Sequence, residues 1–211
     1  MSDYKPDKAT AREDLCRFLS ACYYEPAVEF EEEHLFDSML VAATRIDPDL
    51  ADQARQLGAA FQAQDMQTLL VDYTRLFFGP IQPLASPYGS SWLKMPVQTE
   101  ENLPPAVLEL YNAGGFEIDE DFRELPDHVA VELEFLYLLT FNKNHAEAAG
   151  SAEEAAAAEL LQRRFLSEHL GAWIGPFAAS VKAGAETDFY RELADFTERF
   201  VRLEAARLSV H

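Results

Sequence analysis

The sequence predicts an all-α fold of roughly nine helices, and three observations lead to this prediction. Apolar residues recur three and four positions apart along most of the chain, whereas the apolar–polar alternation that marks β-strands is almost absent. Helix-capping residues and Gly or Pro breakers separate the apolar runs. Hydrophobic residues make up 48% of the 211 residues, which is enough for a sizeable buried core.

Four predicted helices occupy the first part of the chain. The first begins at a capping box, residues 10–13, in which a threonine is followed three residues later by a glutamate. Asp47 followed by Pro48 predicts the start of the third helix, because aspartate caps helix N-termini and proline suits the first turn. The four helices are residues 10–24, residues 31–45, a helix that starts at Asp47, and residues 66–78.

Five further helices are predicted in the second part of the chain. A strongly apolar helix follows an acidic loop, and a second capping box at residues 151–154 opens an alanine-rich helix. The five helices are one that begins at Pro105 and ends at Gly114-Gly115, one that follows His128 and reaches about Asn144, and residues 151–165, 167–182 and 187–208.

The segment between these two groups, residues 79–104, differs in composition. It combines prolines with large apolar residues, namely Ile81, Leu84, Tyr88, Trp92, Leu93 and Met95. Because linkers are normally polar or Gly/Ser-rich, we expect a packed hinge. The prediction is one domain, residues 1–211, with helical lobes at residues 1–78 and 105–211. Exchange of a lobe across such a hinge would convert a monomer into a domain-swapped homodimer.

The chain is strongly acidic, with 37 Asp and Glu against 17 Lys and Arg and a net charge of −20. Such a surface repels phosphate groups and anionic lipids and attracts basic peptides, so we expect no nucleic-acid or membrane-surface binding. No apolar run reaches the roughly 20 residues of a membrane span, and the N-terminus lacks the apolar part of a secretory signal. Cys16 and Cys22 would lie on different helix faces, which predicts no disulfide. These features predict a soluble cytoplasmic protein.

Most sequence signatures of enzymes are absent, including G-x-x-x-x-G-K-[ST], G-x-G-x-x-G and G-x-S-x-G. Glu31 and His34 form one E-x-x-H pair, whereas a di-metal helical bundle needs two such pairs and further carboxylates. A solvated acidic helix start explains this pair better. The sequence therefore predicts no catalytic residues, no bound metal and no cofactor.

His128 and Glu132 are the best candidates for chemistry, because a spacing of four places them on one helical face. One interpretation is a metal-dependent hydrolase centred on these two residues. A second is structural, since Asp127 and His128 flank a helix N-terminus, where unpaired N–H groups favour a carboxylate. The third is a binding site, because Tyr88 and Trp92 lie in the irregular hinge, where amphipathic aromatic side chains can line a recognition pocket.

Three motifs follow one another along the chain. Residues 73–80 read Y-T-R-L-F-F-G-P, residues 85–92 read A-S-P-Y-G-S-S-W, and residues 124–132 begin E-L-P-D-H and end in glutamate. They resemble the aromatic-x-x-L-F-x-G-P, P-[YW]-[EG]-S-[VS]-[YW] and E-x-P-D-H-x-x-x-E motifs of the TorD/DmsD family of redox-enzyme maturation chaperones. Residues 169–177 and 189–194 resemble the C-terminal helices of that family, so the resemblance extends from about residue 10 to the end.

The resemblance implies an all-helical cytoplasmic chaperone without catalytic activity. Members of the family bind the twin-arginine signal peptide, and sometimes the body, of a molybdopterin oxidoreductase and delay export until the cofactor is inserted. The implied partners are therefore that leader and the catalytic subunit. Carried over to this chain, the motifs nominate as signal-peptide-binding residues Tyr73, Leu76, Phe77, Pro87, Tyr88, Trp92, Glu124, Pro126, Asp127, His128 and Glu132.

Two positions depart from the family pattern. Gly89 stands where many TorD-like members have glutamate, and Phe78 is bulkier than the aliphatic residue that is frequent at its position. The glycine makes the chain more similar to the DmsD-like branch, without identifying the client reductase.

The residues also suit this role by their chemistry. A twin-arginine leader carries two guanidinium groups followed by an apolar run, so its receptor needs carboxylates beside an apolar groove. Asp127, with the acidic loop before it, can bind arginine through charge-assisted hydrogen bonds. Tyr88 and Trp92, with Leu76 and Phe77, can supply the groove. Two alternatives stay open: a nitrate-reductase-type assembly factor whose client lacks a cleavable export signal, and the metal-dependent hydrolase.

Overall fold

Ten α-helices and one 3₁₀ helix, Gly89–Ser91, form the fold in the computed structural model, which describes residues 5–79, 81–93, 105–117 and 125–209. Those ranges contain no β-strand, and the predicted all-α fold is confirmed. None of the described helices has both the length and the apolar character needed to cross a membrane. The helices are α1 (Lys8–Cys22), α2 (Glu29–Glu32), α3 (Leu35–Ile46), α4 (Pro48–Gln62), α5 (Met66–Phe77), α6 (Pro105–Ala113), α7 (Val129–Ala148), α8 (Ala152–Glu168), α9 (Leu170–Gly184) and α10 (Asp188–Ser209).

Three of the first helices begin at aspartate N-caps. The carboxylates of Asp7, Asp47 and Asp65 accept hydrogen bonds from the backbone N–H three residues on, at 2.8, 3.0 and 2.8 Å, and these bonds lower the pKa of each carboxyl. The cap at Asp47 was predicted. The predicted capping box at residues 10–13 was wrong, because the charged Asp7 side chain already caps α1. Ser151 occupies the N-cap position of α8, but its side chain makes no capping bond.

The predicted single helix over residues 31–45 is in fact two helices, α2 and α3. His34 lies between them with a φ of 54°, in the left-handed region, and this backbone conformation cannot continue a right-handed helix. The acidic helix α2 buries none of its residues, whereas α3 turns an apolar face to the core. This interruption accounts for ten helices in the described residues where about nine were predicted.

The helices before and after the hinge share one hydrophobic core. In the described residues, α1 packs against α3 and α7, α4 packs against α10, α8 packs against α7, and α9 packs against α10. Aromatic rings join the two halves at the centre: the Phe77 ring centroid lies 6.2 Å from that of Phe177 and 5.7 Å from that of Tyr190. The division into two lobes, and lobe exchange between chains, stay predictions.

The buried carboxylate of Asp72 ties α5 to the start of α10. It accepts hydrogen bonds from the backbone N–H groups of Glu186 and Thr187 at 3.0 and 2.7 Å and from the Thr187 hydroxyl at 2.8 Å. Arg75 pairs with Asp72 at 2.8 Å and donates to the Gly184 carbonyl at 2.7 Å. These bonds fix the end of α5, from which the chain continues into the segment that forms the candidate site.

Both cysteines lie in α1 and are buried free thiols, in agreement with the prediction of no disulfide. Burial raises the pKa of Cys16 and of Cys22 above the usual value for a thiol. Both side chains are therefore neutral at physiological pH and act as small apolar core residues.

Candidate functional site

Two segments that are far apart in the sequence meet at the start of α7. Tyr88 and His128 pair in an isolated antiparallel β-bridge. Two backbone hydrogen bonds of 2.8 Å flank this pair, from Gly89 N to Asp127 O and from Val129 N to Pro87 O. The second and third sequence motifs are thus adjacent in space.

His128 is the N-cap residue of α7. Its Nδ1 accepts the backbone N–H of Ala130 at 3.2 Å, which leaves the proton of the neutral ring on Nε2. The imidazole is buried and stacks nearly parallel to the Tyr24 ring, with centroids 6.1 Å apart, while Tyr88 approaches it edge-on at 5.4 Å. The geometry therefore gives His128 the helix-start role that the sequence left open as one interpretation.

The Asp127 side chain is buried, with only 2% of the residue exposed. Its Oδ2 accepts the backbone N–H of Ser90 at 2.8 Å. Its Oδ1 is also buried and has no hydrogen-bond partner among the described residues. One oxygen of this carboxylate thus accepts a hydrogen bond from the hinge segment, and the other accepts none from the described residues.

Glu132 lies one turn into α7 and is fully buried. Its Oε2 accepts the indole N–H of Trp173 at 3.1 Å, and its Oε1 has no partner in the described part of the chain. Burial raises the pKa of Glu132 well above its usual value, and the negative charge of Asp127 raises it further, although the bond from Trp173 opposes this. Glu132 is therefore protonated more readily than an exposed glutamate.

Gly89 lies directly against this buried carboxyl group. A Cβ atom at position 89 would be 2.9 Å from Nε1 of Trp173 and 3.0 Å from Oε1 of Glu132, closer than carbon normally approaches either atom. The hinge segment can therefore pack onto α7 and α9 in this way only because residue 89 has no side chain.

Further contacts hold the two segments in place. The Tyr111 hydroxyl of α6 donates to the Pro126 carbonyl at 2.6 Å, and Pro126 and Pro87 are both buried. The indole N–H of Trp92 donates to the Ser86 carbonyl at 2.9 Å and closes the hinge segment on itself. Pro87, Tyr88, Trp92, Pro126, Asp127, His128 and Glu132 are brought together as a group.

Three other nominated residues, Tyr73, Leu76 and Phe77, lie on the inner face of α5. Each is buried, and Phe77 packs edge-on against Tyr23 with centroids 6.2 Å apart. These three side chains belong to the core next to the hinge and expose almost no surface to a partner. Glu124, the remaining nominated residue, lies outside the described residues.

Apolar side chains that were not nominated are exposed near the end of α5. Phe78, Ile81 and Leu84 are 53%, 96% and 48% exposed. Phe78 directly precedes the hinge segment, and Ile81 and Leu84 lie near its beginning, before the residues that contact α7. Among the described residues of the first motif and the hinge, the exposed large apolar side chains are therefore those that follow Phe77, whereas the apolar positions of that motif up to Phe77 are buried.

Sequence reasoning missed two residues that define the site, Ser90 and Trp173. Ser90 contributes a backbone N–H, which any residue except proline provides, so no side-chain pattern marks it. Trp173 had a signal, because it lies in a stretch that resembles a C-terminal helix of the family, but its bond to Glu132 depends on how α9 packs.

Metal binding finds no support in this geometry. No three His, Cys, Asp or Glu side chains of the described ranges are grouped so that they could hold a metal ion. The Nδ1 of His128 accepts a backbone N–H, and Glu132 is bonded to Trp173. In the E-x-x-H pair, Nδ1 of His34 instead lies 3.4 Å from Oδ2 of Asp37. The hydrolase alternative therefore lacks a metal site within the part of the chain that the structure describes.

Comparison with known proteins identifies relatives over most of the chain. Residues 43–179, more than half of the chain, match the family model for the nitrate reductase delta subunit. A perchlorate reductase assembly chaperone protein of Dechloromonas aromatica is 29% identical over 204 residues, which cover 92% of this chain and 88% of that protein.

Two chaperones named TorD are also similar to this chain. The protein of Vibrio parahaemolyticus is 29% identical over an alignment that covers 66% of this chain and 64% of that protein. The protein of Vibrio cholerae El Tor is 28% identical over 81% of this chain and 72% of that protein. These relatives are named as chaperones, in agreement with the prediction that the chain is not an enzyme. Together with the family match, they establish that the chain belongs to the TorD/DmsD family of chaperones, which the nitrate reductase delta subunit model covers.

Proposed function

We propose that this protein is a cytoplasmic chaperone that binds the twin-arginine signal peptide and the catalytic subunit of a molybdopterin oxidoreductase. In this role it assists cofactor insertion and delays export until folding is complete. The names of the relatives, an assembly chaperone for perchlorate reductase and TorD chaperones, support the general role. The observation that carries the peptide-binding role is the buried Asp127 carboxylate with one unused oxygen, beside an aromatic-rich hinge.

The carboxylate suits the guanidinium group of arginine. A guanidinium donates two parallel N–H bonds to a carboxylate, and such charge-assisted bonds are about twice as strong as neutral ones. Asp127 stands between hinge and α7, and its Oδ1 has no partner among the described residues. A buried acceptor without a partner is destabilising, so an arginine that reaches it removes a cost that the free protein carries.

The hinge suits the apolar run that follows the arginines. Ile81 and Leu84 expose apolar surface, and the same segment then reaches the half-buried Tyr88 and Trp92. An apolar peptide that lies along this segment would bury surface on both sides. Tyr73, Leu76 and Phe77 hold the hinge in position from the core.

The charge of the whole chain favours the same partner. A net charge of −20 attracts the basic N-terminal part of a leader from solution. This long-range attraction mainly accelerates encounter, and it weakens with added salt.

Calorimetric titration of the purified protein with a synthetic twin-arginine leader tests the proposal. We expect saturable binding and a lower affinity for a leader in which both arginines are lysine, since lysine keeps the charge but lacks the planar fork. No binding of the twin-arginine leader, or equal affinity for both leaders, would contradict the proposed recognition.

A nitrate-reductase-type assembly factor is the second candidate, because the family model that matches the chain is described as the nitrate reductase delta subunit. In that case the protein would bind a client that has no cleavable leader. Co-purification with a molybdoenzyme catalytic subunit, with and without its N-terminal leader, separates the two candidates. Equal recovery of both forms would support the assembly factor.

A further inference from the structure

We propose that the hinge segment from Ser86 to Trp92 is a lid over a two-carboxylate site, formed by Asp127 and Glu132, and that a peptide with two guanidinium groups binds by displacing it. This inference rests on the proposed function and deepens it, because it states how the site opens and which second residue receives an arginine.

Among the described residues, three hydrogen bonds that involve backbone N–H groups hold the lid, together with ring contacts of Tyr88 with His128 and of Trp92 with Phe177. Gly89 N–H donates to the Asp127 carbonyl and Val129 N–H to the Pro87 carbonyl, and Ser90 N–H donates to Oδ2 of Asp127. The lid has no helix beyond the three residues of its 3₁₀ turn. A short irregular segment at the surface opens at a lower free-energy cost than the long helices on which it lies.

Two carboxyl oxygens beneath the lid lack hydrogen bonds from the described residues while the lid is closed, which is energetically unfavourable. Oδ1 of Asp127 and Oε1 of Glu132 are both buried, and neither has a hydrogen-bond partner among the described residues. Polar atoms in this state lose their bonds to water without gaining others, which favours any rearrangement that supplies donors. A guanidinium group supplies several donors at once.

The two carboxyl groups are close enough to act on one peptide. Both lie against the lid: Ser90 N is 2.8 Å from Oδ2 of Asp127, and a Cβ on Gly89 would be 3.0 Å from Oε1 of Glu132. The charge of Asp127 also disfavours ionisation of Glu132. Two arginines next to each other in a peptide would neutralise this repulsion, one at each carboxylate, whereas a single arginine would leave one carboxyl group unsatisfied.

The charged and polar groups that face Glu132 come from three parts of the fold. Asp127 precedes α7, the Tyr111 hydroxyl lies on α6, and α9 supplies the neutral Trp173. Burial raises the pKa of Tyr111, so this side chain is neutral and Asp127 carries the charge that Glu132 faces. Binding of a guanidinium to Glu132 is therefore coupled to the loss of a proton from that carboxyl group.

Ser90→Pro tests the lid, because proline removes the N–H that occupies Oδ2 of Asp127. The control is Ser90→Ala, which removes the hydroxyl and keeps the N–H. We expect Ser90→Pro to bind the twin-arginine leader about tenfold more tightly than Ser90→Ala, since weakening the lid raises the population of the open form. If a folded Ser90→Pro variant binds the leader with the same affinity as Ser90→Ala, or more weakly, the lid proposal is overturned.

Gly89→Ala is a second variant for the same test. Its methyl group cannot be placed beside Trp173 and Glu132 without moving the lid, so it should also bind more tightly than Ser90→Ala. Amide hydrogen exchange measured by NMR then follows the lid directly. On binding, the amides of Gly89, Ser90 and Val129 should lose protection, while those in the middle of α7 should keep theirs.

A di-arginine amide, used as a probe at millimolar concentration, separates failure of the lid from failure of the proposed function. If the leader binds and the amides of Gly89, Ser90 and Val129 stay protected, the lid is wrong and the function stands. If the leader does not bind and the di-arginine amide releases these amides, the site and lid stand and leader recognition is wrong. If the leader does not bind and neither ligand releases the amides, both proposals are overturned.

Discussion

Trp173 of α9 donates its indole N–H to Oε2 of Glu132 on α7 across 3.1 Å, inside the protein and next to Gly89 of the hinge. One buried bond thus connects two helices with the segment that covers the candidate site. Oε1 of Glu132 is buried and has no hydrogen-bond partner among the described residues. This carboxyl group therefore lowers the stability of the folded protein. The first prediction follows from this relationship.

Glu132→Gln should stabilise the protein at neutral pH. The raised pKa means that folded Glu132 still holds its proton at pH values where the unfolded chain, with its ordinary value of 4.5, has released it. The free energy of unfolding therefore falls as pH rises through this interval, by about 1.4 kcal/mol per pH unit for one group. Glutamine has no such proton, so the variant should gain stability relative to wild type above pH 4.5 and lose that advantage below it.

Urea unfolding from pH 4 to pH 8 measures this effect. Glu153→Gln, at an exposed position on α8, is the control and should follow the wild-type pH dependence. An identical pH dependence for wild type and Glu132→Gln would show that Glu132 is ionised in the folded protein. If the two-carboxylate site is also right, the more stable Glu132→Gln variant should bind the leader more weakly.

Asp127→Asn should weaken leader binding by about 1.5–3 kcal/mol, the range for a hydrogen bond to a charged group. The amide can still accept the Ser90 N–H, so the hinge should keep its position. Binding by the variant should also respond less to added salt, because one charge contact has been lost. Calorimetric titrations at two salt concentrations measure both the affinity and its salt dependence. Unchanged affinity in a folded variant would exclude Asp127 as the arginine-binding group.

Ile81→Ser should weaken leader binding by about 1–2 kcal/mol, since burial of an isoleucine contributes about 1.5–3 kcal/mol. Ile81 is 96% exposed, so the thermal unfolding midpoint should not change. The salt dependence of binding should also be unchanged, because no charge is removed. Leu160→Ser on α8, where leucine is 66% exposed, is the matched control; the same loss of affinity in both variants would indicate nonspecific adhesion.

Asp72→Ala should destabilise the fold by about 3 kcal/mol, a value typical of breaking a buried ion pair from one side. The change leaves the N–H groups of Glu186 and Thr187 and the guanidinium of Arg75 without their acceptor. Asp52→Ala, which removes an exposed ion pair with Arg55, should have little effect on chemical denaturation. Equal stability of the two variants would contradict the assigned role of Asp72.

Local features of the fold were predictable because they depend on residues close together in the chain. The cap at Asp47 and the end of α5 at Phe77 follow from short-range hydrogen bonding and from the backbone limits of Gly and Pro. The left-handed conformation of His34 was not predictable, since the acidic run around it is compatible with a continuous helix.

The sequence by itself determined the all-α class, the family and the two motifs that meet at the start of α7. Only the tertiary structure decided which of the nominated residues face a partner. Leu76 and Phe77 have the composition of a groove, yet α5 packs that face inwards, and the exposed apolar side chain is Ile81 in the hinge segment that follows α5. Burial depends on side chains from helices far apart in the chain, and periodicity within one helix shows an apolar face without showing what covers it.

The chemical state of the site was likewise decided by tertiary packing. Glu132 was recognisable as a candidate from its spacing of four from His128, and Asp127 from its place at a helix N-terminus and in the third motif. Their unused oxygens, the raised pKa of Glu132 and the close approach of Gly89 arise where α7, α9 and the hinge meet. The pKa of a carboxyl group depends on its solvation and on nearby charges, and both are properties of the assembled core and not of the neighbouring residues in the sequence.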